Sequence, residues 1–373
     1  MGSTRRQVED GAAATPPAQP ALTAAPPPTD EAADALTTRA YRPGDEHWLV
    51  ETFSLVFRRR SLEEWRWLFE ARADGPDEVD IAILEHDGQP IGSTAHIGAS
   101  AWVDGRRMHL AIGCDMMVHP RFRGRGGAGL LVEALRTSGH SFDLNFGTVT
   151  GGSRQVTRRR LGSKAMGWAP IWLRFRARRI PGRPLLGRAL AVLDRGFGRA
   201  LSWPRPSPAV VDLETLGSEV DELARDSAAF ARCIRVRDAH YLRWHWQQDP
   251  RTAWRIRGVV GTHGELRGLA VIGTRGEGDE RSGVVADLLA RDYGAVRALL
   301  CDAWEQLAEE GVTKVACVYR DPRWWGRVAM LRSGFRRSIW PGPQIACGPL
   351  SEQAGDVVRH RRSWYLTGAD TDL

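Results

Sequence analysis

The feature that most limits how this chain can fold is a strand that leads into a glycine-dense loop and then into a helix. An apolar strand is predicted over residues 107–118, and a helix begins near Ala128. Four of the six residues over 124–129 are glycine, which lets the backbone turn sharply and approach a ligand without a Cβ atom in the way. The first N–H groups of the helix then converge on one place, where the helix dipole also stabilises negative charge. The segment therefore predicts an anion-binding loop where a sheet meets a helix.

The charge of this region supports an anion site. Arg121, Arg123 and Arg125 stand in the loop, and guanidinium groups offer forked donors that suit phosphate. The whole chain has a formal net charge of +7, and its positive charge is concentrated between residues 121 and 188. This concentration favours a local anion site over a nucleic-acid surface that covers the molecule, and it leaves a membrane contact open.

The elements around the loop predict a mixed sheet covered by helices, an α/β (α+β) fold. The predicted elements are helices over 46–56 and 61–71, strands over 79–85, 91–100, 101–103 and 107–118, a helix over 128–138, a strand over 142–148 and a helix over 154–161. The turn His86-Asp87-Gly88-Gln89-Pro90 predicts a hairpin between the first two strands. Ser61, with a carboxylate three residues later, is typical of a helix start.

A second alternation of elements, from about residue 210 onwards, repeats part of this pattern. Its predicted elements are helices up to residue 246, strands over 256–260, 266–274 and 283–289, a helix over 295–310, a strand over 313–319, a helix over 323–333 and a strand near 363–366. The order and spacing match the later part of the first series. The sequence therefore predicts two copies of one fold in tandem.

Composition suggests where the copies begin and end. Residues 1–37 are rich in Ala, Pro and Thr and are predicted as a disordered tail. The predicted units that follow are a first domain over 38–180, a basic linker over 181–208 and a second domain over 209–373. The linker contains a helical stretch, 185–201, with arginines between its apolar positions. It is predicted either to pack on the domain surface or to lie in a membrane interface.

The run Arg123-Gly124-Arg125-Gly126-Gly127-Ala128 fits the pattern Arg/Gln-x-x-Gly-x-Gly/Ala. It resembles the acyl-CoA signature of the GNAT acetyltransferase superfamily, and Val118-His119-Pro120 before it and Gly129-Leu130-Leu131 after it extend the resemblance. The resemblance covers about residues 38–168 and, less fully, the second half. It implies two GNAT-like acyl-CoA N-acyltransferase domains in tandem, an arrangement that occurs in bacteria.

The resemblance also implies roles for individual residues. The loop amides would hold the CoA pyrophosphate, the preceding strand would pair with the pantetheine arm, and the backbone N–H of Val118 would polarise the thioester carbonyl. The implied acyl donor is acetyl-CoA or another acyl-CoA, and no metal is required. The implied cofactor-binding residues are Met116, Met117, Val118, Arg123, Gly124, Arg125, Gly126, Gly127, Ala128, Gly129 and Asn145.

Three positions depart from the superfamily pattern or leave alternatives open. Asp115 is a candidate general base in an apolar strand, and its alternative role is structural, bonding the loop amides. Arg158 stands where many members carry a tyrosine that protonates the leaving thiolate, and a guanidinium is a poor proton donor. In the second half, Asp292-Tyr293-Gly294-Ala295 replaces the glycine loop. The second copy is therefore expected to be degenerate, either structural or shaping the acceptor pocket.

Other features exclude some classes of protein. The five cysteines are widely spaced and form no C-x-x-C pair, which argues against a disulfide framework and against a structural zinc site. No apolar run is long enough to cross a bilayer, and the first residues lack the order of a secretory signal, so a cytoplasmic protein is expected.

The loop and the resemblance together predict an N-acetyltransferase that moves an acyl group from acyl-CoA to a small-molecule or peptide amine. No specific nucleic-acid partner is predicted. Three alternatives stay open: a CoA-binding regulator without turnover, a tandem transferase that uses aminoacyl-tRNA, and a nucleic-acid-binding protein without catalysis.

Overall fold

A computed structural model describes residues 36–71, 79–139, 141–175, 208–276, 278 and 281–371 of the chain. The first half contains β1 Leu36–Ala40, α1 Asp45–Val56, α2 Leu62–Phe69, β2 Val79–His86, β3 Gln89–Val103, β4 Arg106–Val118, α3 Gly127–Arg136, β5 Leu144–Thr148, α4 Gly151–Leu161, β6 Lys164–Trp168 and β7 Ile171–Phe175. The predicted cap of α2 is present, since the Ser61 side chain accepts a hydrogen bond from the Glu64 N–H at 3.0 Å. The prediction of a separate strand over 101–103 is wrong, because these residues continue β3.

The second half contains β8 Val210–Asp212, α5 Ser218–Asp226, β9 Cys233–Arg235, α6 Ala239–Leu242, β10 Arg255–Val260, β11 Leu266–Arg275, β12 Ser282–Ala290, α7 Tyr293–Glu309, β13 Lys314–Arg320, α8 Trp324–Arg332, β14 Arg336–Arg337, β15 Gln344–Pro349 and β16 Leu366–Thr367. The elements over 255–332 confirm the predicted alternation to within a few residues. The predicted tail lies outside the described residues, apart from Leu36 and Thr37 in β1, and so does the predicted linker helix over 185–201.

Two eight-stranded mixed sheets form the core of the molecule. The second half contributes two strands to the first sheet, and the first half contributes one strand to the second sheet. The first sheet has the order β1-β2-β3-β4-β5-β15-β6, with β9 paired to the far end of β3. The second has the order β14-β7-β13-β12-β11-β10-β8, with β16 paired to β13. Thus β15 lies between β5 and β6, and β7 lies between β13 and β14. The predicted domain ranges stay predictions, and the exchange ties the two halves together.

A reciprocal contact between two tryptophans joins the halves. The indole N–H of Trp67 donates to the Trp244 carbonyl at 2.8 Å, and that of Trp244 donates to the Trp67 carbonyl at 2.9 Å. Each tryptophan stands six residues after a helix cap, Ser61 in one half and Asp238 in the other. A reciprocal contact, in which each residue donates the same hydrogen bond to the other, is typical of two copies related by an approximate two-fold axis.

The two faces of the first sheet carry different helices. Residues alternate across a strand, so Ile81 and Ile83 of β2 face one side and Ala82 and Leu84 the other. The first pair belongs to the large apolar core that also contains residues of α1 and α2. The second pair packs with residues of α3 in a smaller core. Helices α1 and α3 therefore lie on opposite faces of the sheet.

Candidate functional site

The parallel strands β4 and β5 separate partway along their length. Their pairing runs from Leu110 opposite Leu144 to Ile112 opposite Phe146 and ends there, although β4 continues to Val118. Just beyond this point the strands are still close, since a Cβ atom on Gly147 would lie 2.9 Å from the Gly113 carbonyl oxygen. The backbone edge of β4 after Gly113 therefore has no strand partner on the β5 side among the described residues.

A cavity of about 600 Å³ lies where the strands part. Its wall includes residues of both strands, residues of α1 from one face of the sheet, and residues of α3 and α4 from the other. The cavity therefore passes through the plane of the sheet. Its wall residues are Phe53, Val56, Phe57, Arg58, Thr94, His96, Ile112, Gly113, Cys114, Asp115, Met116, Val132, Leu135, Asn145, Phe146, Gly147, Thr148, Val149, Thr150, Ser153, Thr157, Leu161, Ser163, Ala346, Asp370 and Thr371.

The glycine loop has the backbone that its sequence predicts. Gly124 and Gly126 have φ angles of +83° and +82°, a region that side chains with a Cβ atom rarely adopt, and Gly126 caps α3. Gly127 is buried, and a Cβ atom there would collide with the Leu84 side chain of β2. These glycines let the chain turn back and start α3 directly against the sheet. The free N–H groups of the first turn of α3 thus lie near the open end of β4.

The arginines of the loop keep their charge available. Arg123 donates from Nε to the Val118 carbonyl at 3.1 Å, and the Arg125 guanidinium lies 5.4 Å from the centre of the Phe122 ring. Within the described part of the chain, no carboxylate pairs with Arg121, Arg123 or Arg125. The loop therefore presents uncompensated positive charge beside the start of a helix, the combination that favours a bound anion.

The structure divides the predicted site residues into three groups. Met116, Asn145 and the candidate base Asp115 lie in the cavity wall, whereas Met117 is buried against the sheet and Val118 ends β4 outside the wall. The third group, residues 123–129, stands at the start of α3, and the same helix reaches the cavity with Val132 and Leu135.

Asn145 is held by a second polar group in the cavity wall. Its amide nitrogen donates to the Ser163 hydroxyl at 2.8 Å, and the hydroxyl donates back to the amide oxygen at 3.1 Å. Both side chains are buried. The pair thus fixes the orientation of Asn145 at the point where β5 leaves β4.

Asp115 stands at a bulge in β4 and is paired with an arginine that the sequence interpretation missed. Its φ angle is +51°, and the register with β3 shifts between Ser93 and Ala95. Its carboxylate forms an ion pair with the guanidinium of Arg60, whose side chain is only 1% exposed. The guanidinium also stacks on the Phe53 ring at 3.3 Å. The bulge and the buried cation therefore hold each other in place.

The same pair recurs in the second half. Arg237 immediately precedes the cap Asp238, as Arg60 precedes Ser61, and it donates from Nε to Asp287 of β12 at 2.9 Å. Burial lowers the pKa of Arg237, but the carboxylates of Asp287 and Asp370 raise it by more. The sequence contained a signal for this pair, because each half has an arginine directly before a helix cap. The two runs are Arg58-Arg59-Arg60-Ser61 and Arg235-Val236-Arg237-Asp238.

At the start of α7, the second half places a carboxylate where the first half has its glycine loop. Asp292 caps this helix and accepts a hydrogen bond from the Ala295 N–H at 2.9 Å. The same carboxylate accepts from Arg267 Nη2 at 2.8 Å. An acidic side chain thus occupies the helix end, so this position repels a phosphate where the first half would attract one.

Three further features concern Arg158, metal binding and a membrane span. Arg158 is exposed on α4 and lies outside the cavity wall, which contains the neighbouring Thr157. Among the described residues, no three His, Cys, Asp or Glu side chains are grouped so that they could hold a metal ion. None of the described helices is both long and apolar enough to span a bilayer.

Comparison with known proteins gives likenesses in structure alone. No protein-family model matches the sequence, and no curated protein matches it. A GCN5-related N-acetyltransferase from Anabaena variabilis has a TM-score of 0.63 at 11% identity, over 87% of this chain and 75% of that one. Eis1 from Mycobacterium abscessus has a TM-score of 0.54 at 16% identity, over 87% and 76%.

A Saccharomyces cerevisiae N-myristoyltransferase with bound myristoyl-CoA has a TM-score of 0.54 at 8% identity, over 84% of this chain and 82% of that one. These matches extend over both halves of the described structure. They confirm the predicted fold class, which is the α/β fold of the GNAT acyltransferases with two mixed sheets.

Proposed function

We propose that this chain, which has the fold of the GCN5-related N-acetyltransferases, transfers an acyl group from acyl-CoA to an amine. The observation that carries the proposal is the cavity through the first sheet, which lies between the parted strands β4 and β5 and is lined by Val132 and Leu135 of α3, the helix that begins at the glycine loop. A narrow passage through a sheet lets a donor enter from one face and an acceptor from the other. The two reactants then meet where the strands part.

The glycine loop is proposed to hold the pyrophosphate of CoA. The positive-φ glycines and the first N–H groups of α3 form the cradle, and Arg123 and Arg125 supply positive charge. Asp292 at the start of α7 supports binding in the first half alone, because its carboxylate already satisfies that helix end. We therefore propose that the second copy is structural and completes the cavity, to which it contributes Ala346 and Asp370.

The free edge of β4 is proposed to bind the pantetheine arm as an added strand. The thioester would then lie near the bulge, where a backbone N–H can polarise its carbonyl. Met116 directly follows the bulge and lies in the cavity wall, whereas the predicted donor Val118 lies outside that wall. This favours the N–H of Met116 over that of Val118 for this role.

Asp115 is proposed to position the bulge. Its carboxylate already pairs with the buried guanidinium of Arg60 and so ties the bulge to the segment before α2. The equivalent pair of Arg237 and Asp287 persists in a copy whose helix end is capped by a carboxylate. A role that both copies share favours a structural function. We therefore propose that Asp115 positions the bulge and does not act as the predicted general base.

The test is to incubate the full chain with acetyl-CoA and longer acyl-CoAs, each with a panel of amines, and to follow free thiol and product mass. Thiol release that requires an amine, with a product heavier by one acyl group, is the expected result. CoA binding without thiol release would instead establish the CoA-binding regulator, an alternative that the exposed position of Arg158 favours. Transfer from aminoacyl-tRNA in the absence of CoA would establish the tRNA-dependent transferase.

A further inference from the structure

One surface of the molecule combines large exposed apolar side chains with arginines that have no acidic partner among the described residues. It lies far along the chain from the glycine loop, and none of its residues belongs to the cavity wall. We call it the Trp-Arg patch, and it consists of Trp168, Arg320, Arg337, Ile339, Trp340 and Arg361.

Backbone contacts bring these residues together. The loop after β14 lies against the segment between β6 and β7, because the Ser338 N–H donates to the Ile171 carbonyl at 2.8 Å and the Ala169 N–H donates to the Pro343 carbonyl at 2.9 Å. Arg320 then links the patch, since it donates to the Trp168 carbonyl and to the Arg361 carbonyl, each at 3.1 Å.

The apolar part of the patch is unusually open to solvent. Ile339 is 91% exposed, Trp340 73% and Trp168 51%. Ile339 and Trp340 occupy the tip of a loop between arginines on one side and Pro341 and Pro343 on the other. Large side chains held at a loop tip, with no packing partner of their own, mark a surface that meets something else.

The basic part of the patch carries uncompensated charge. In the described portion of the structure, no carboxylate pairs with Arg320, Arg337 or Arg361. Burial, together with the positive charges of Arg361 and Arg337, lowers the pKa of Arg320 to about 10. The three guanidiniums are therefore close enough to repel one another. This repulsion is relieved when an anionic surface approaches.

We propose that the Trp-Arg patch docks the protein onto an anionic phospholipid membrane. Indole rings prefer the boundary between head groups and acyl chains, an exposed isoleucine is buried in the acyl region beside them, and arginines bind lipid phosphates. A second copy of the chain fits poorly, since it would bring the same three guanidiniums face to face. A nucleic acid fits less well, because Ile339, the most exposed apolar side chain of the patch, offers no ring on which a base can stack but can enter an acyl region.

The test measures how the full-length protein sediments with sucrose-loaded vesicles of phosphatidylcholine alone and of phosphatidylcholine with phosphatidylglycerol at 7:3. The expected result is binding to the mixed vesicles, with at least about tenfold weaker binding for the double variant Ile339→Ala/Trp340→Ala. The double variant Arg337→Gln/Arg361→Gln should bind about 25-fold more weakly, from roughly fivefold for each cation. Arg320 is kept, because it bonds to backbone carbonyls.

The matched control is Val211→Ala/Arg225→Gln, which removes one exposed apolar side chain and one exposed cation elsewhere. Val211 lies in β8, at the opposite edge of the second sheet from β14, so this variant should bind vesicles as the unaltered protein does. Unchanged CoA affinity in every variant verifies folding.

Three results would overturn the proposal. The first is equal binding, or none, to the two kinds of vesicle. The second is a dimer that is lost in Ile339→Ala/Trp340→Ala, and the third is retention on poly(U) RNA that is lost in the arginine variant.

Discussion

Replacing Asp115 with asparagine separates a positioning role from a catalytic one. The Arg60 side chain is 1% exposed and that of Asp115 is 14% exposed, so the substitution removes the nearer carboxylate from a buried cation and leaves Glu64, at 3.7 Å, as its remaining acidic partner among the described residues. Removing one partner of a buried ion pair costs about 3–5 kcal/mol, and asparagine can still accept one hydrogen bond, which places the expected loss near 3 kcal/mol. At about 2–4 °C for each kcal/mol, the melting temperature should fall by about 6–12 °C.

The matched control is Asp287→Asn, which breaks the equivalent pair with Arg237 in the second half. Both variants should be destabilised in thermal unfolding, and both should still bind CoA. If Asp115 only positions the bulge, acyl transfer by Asp115→Asn at 20 °C should fall by less than about tenfold, with the pH profile of kcat/KM unchanged. Loss of a general base costs about 100- to 10,000-fold. A loss of that size in Asp115→Asn alone, with the basic group missing from the pH profile, would show that Asp115 is the general base.

Two further predictions concern buried and half-buried titratable side chains. Burial lowers the pKa of His245 well below its ordinary value, so the unfolded chain takes up a proton that the folded chain does not, and stability is lost as the pH falls below about 6.5. Between pH 7 and pH 5 the free energy of unfolding, measured with urea, should fall by about 2 kcal/mol. The fall should be correspondingly smaller in His245→Phe. An equal fall in both proteins would show that His245 is not the group responsible. Burial also raises the pKa of Cys233 to about 12 and that of Cys347 well above its ordinary value, whereas Cys114 lies in the cavity wall. Iodoacetamide should therefore alkylate Cys114 before Cys233 and Cys347, as measured by peptide mass spectrometry. Bound CoA should slow the alkylation of Cys114 at least about fivefold. Faster labelling of Cys233 than of Cys114 would show that Cys233 is not buried.

Local signals in the sequence are sufficient for most helices and for the glycine loop. The hairpin between β2 and β3 forms at the predicted turn, where Asp87 and Gly88 have φ angles of +51° and +71°. The loop before α3 is predictable for the same reason, since a left-handed backbone favours glycine at Gly124 and Gly126 whatever surrounds them. In each case the residues that determine the conformation are the residues that adopt it.

The exchange of strands between the halves could not be predicted in this way. β15 reads Gln-Ile-Ala-Cys-Gly-Pro, which has little strand pattern, and its position depends on β5, about 200 residues earlier. Such pairing is decided by tertiary packing, which overrides weak local preference. For the same reason the sequence did not reveal that Asp370 lies in the cavity wall.

The pair of Arg60 and Asp115 lies between these two cases. Its partners are 55 residues apart, so no local pattern joins them. The internal repeat does contain the information, because both halves carry an arginine before a helix cap and an aspartate in a later strand. Comparing the two halves of the sequence with each other would have shown that both residues recur.

CoA is proposed to bind at the start of α3 in the first half. Ala128 is the second residue of that helix and is partly exposed, so Ala128→Glu places a negative charge among the N–H groups proposed to hold the pyrophosphate. Ala128→Gln adds a side chain of the same size without the charge. By calorimetry, Ala128→Glu should bind CoA at least about tenfold more weakly than Ala128→Gln, a difference of about 1.4 kcal/mol. Equal affinity of the two variants would show that the pyrophosphate lies elsewhere.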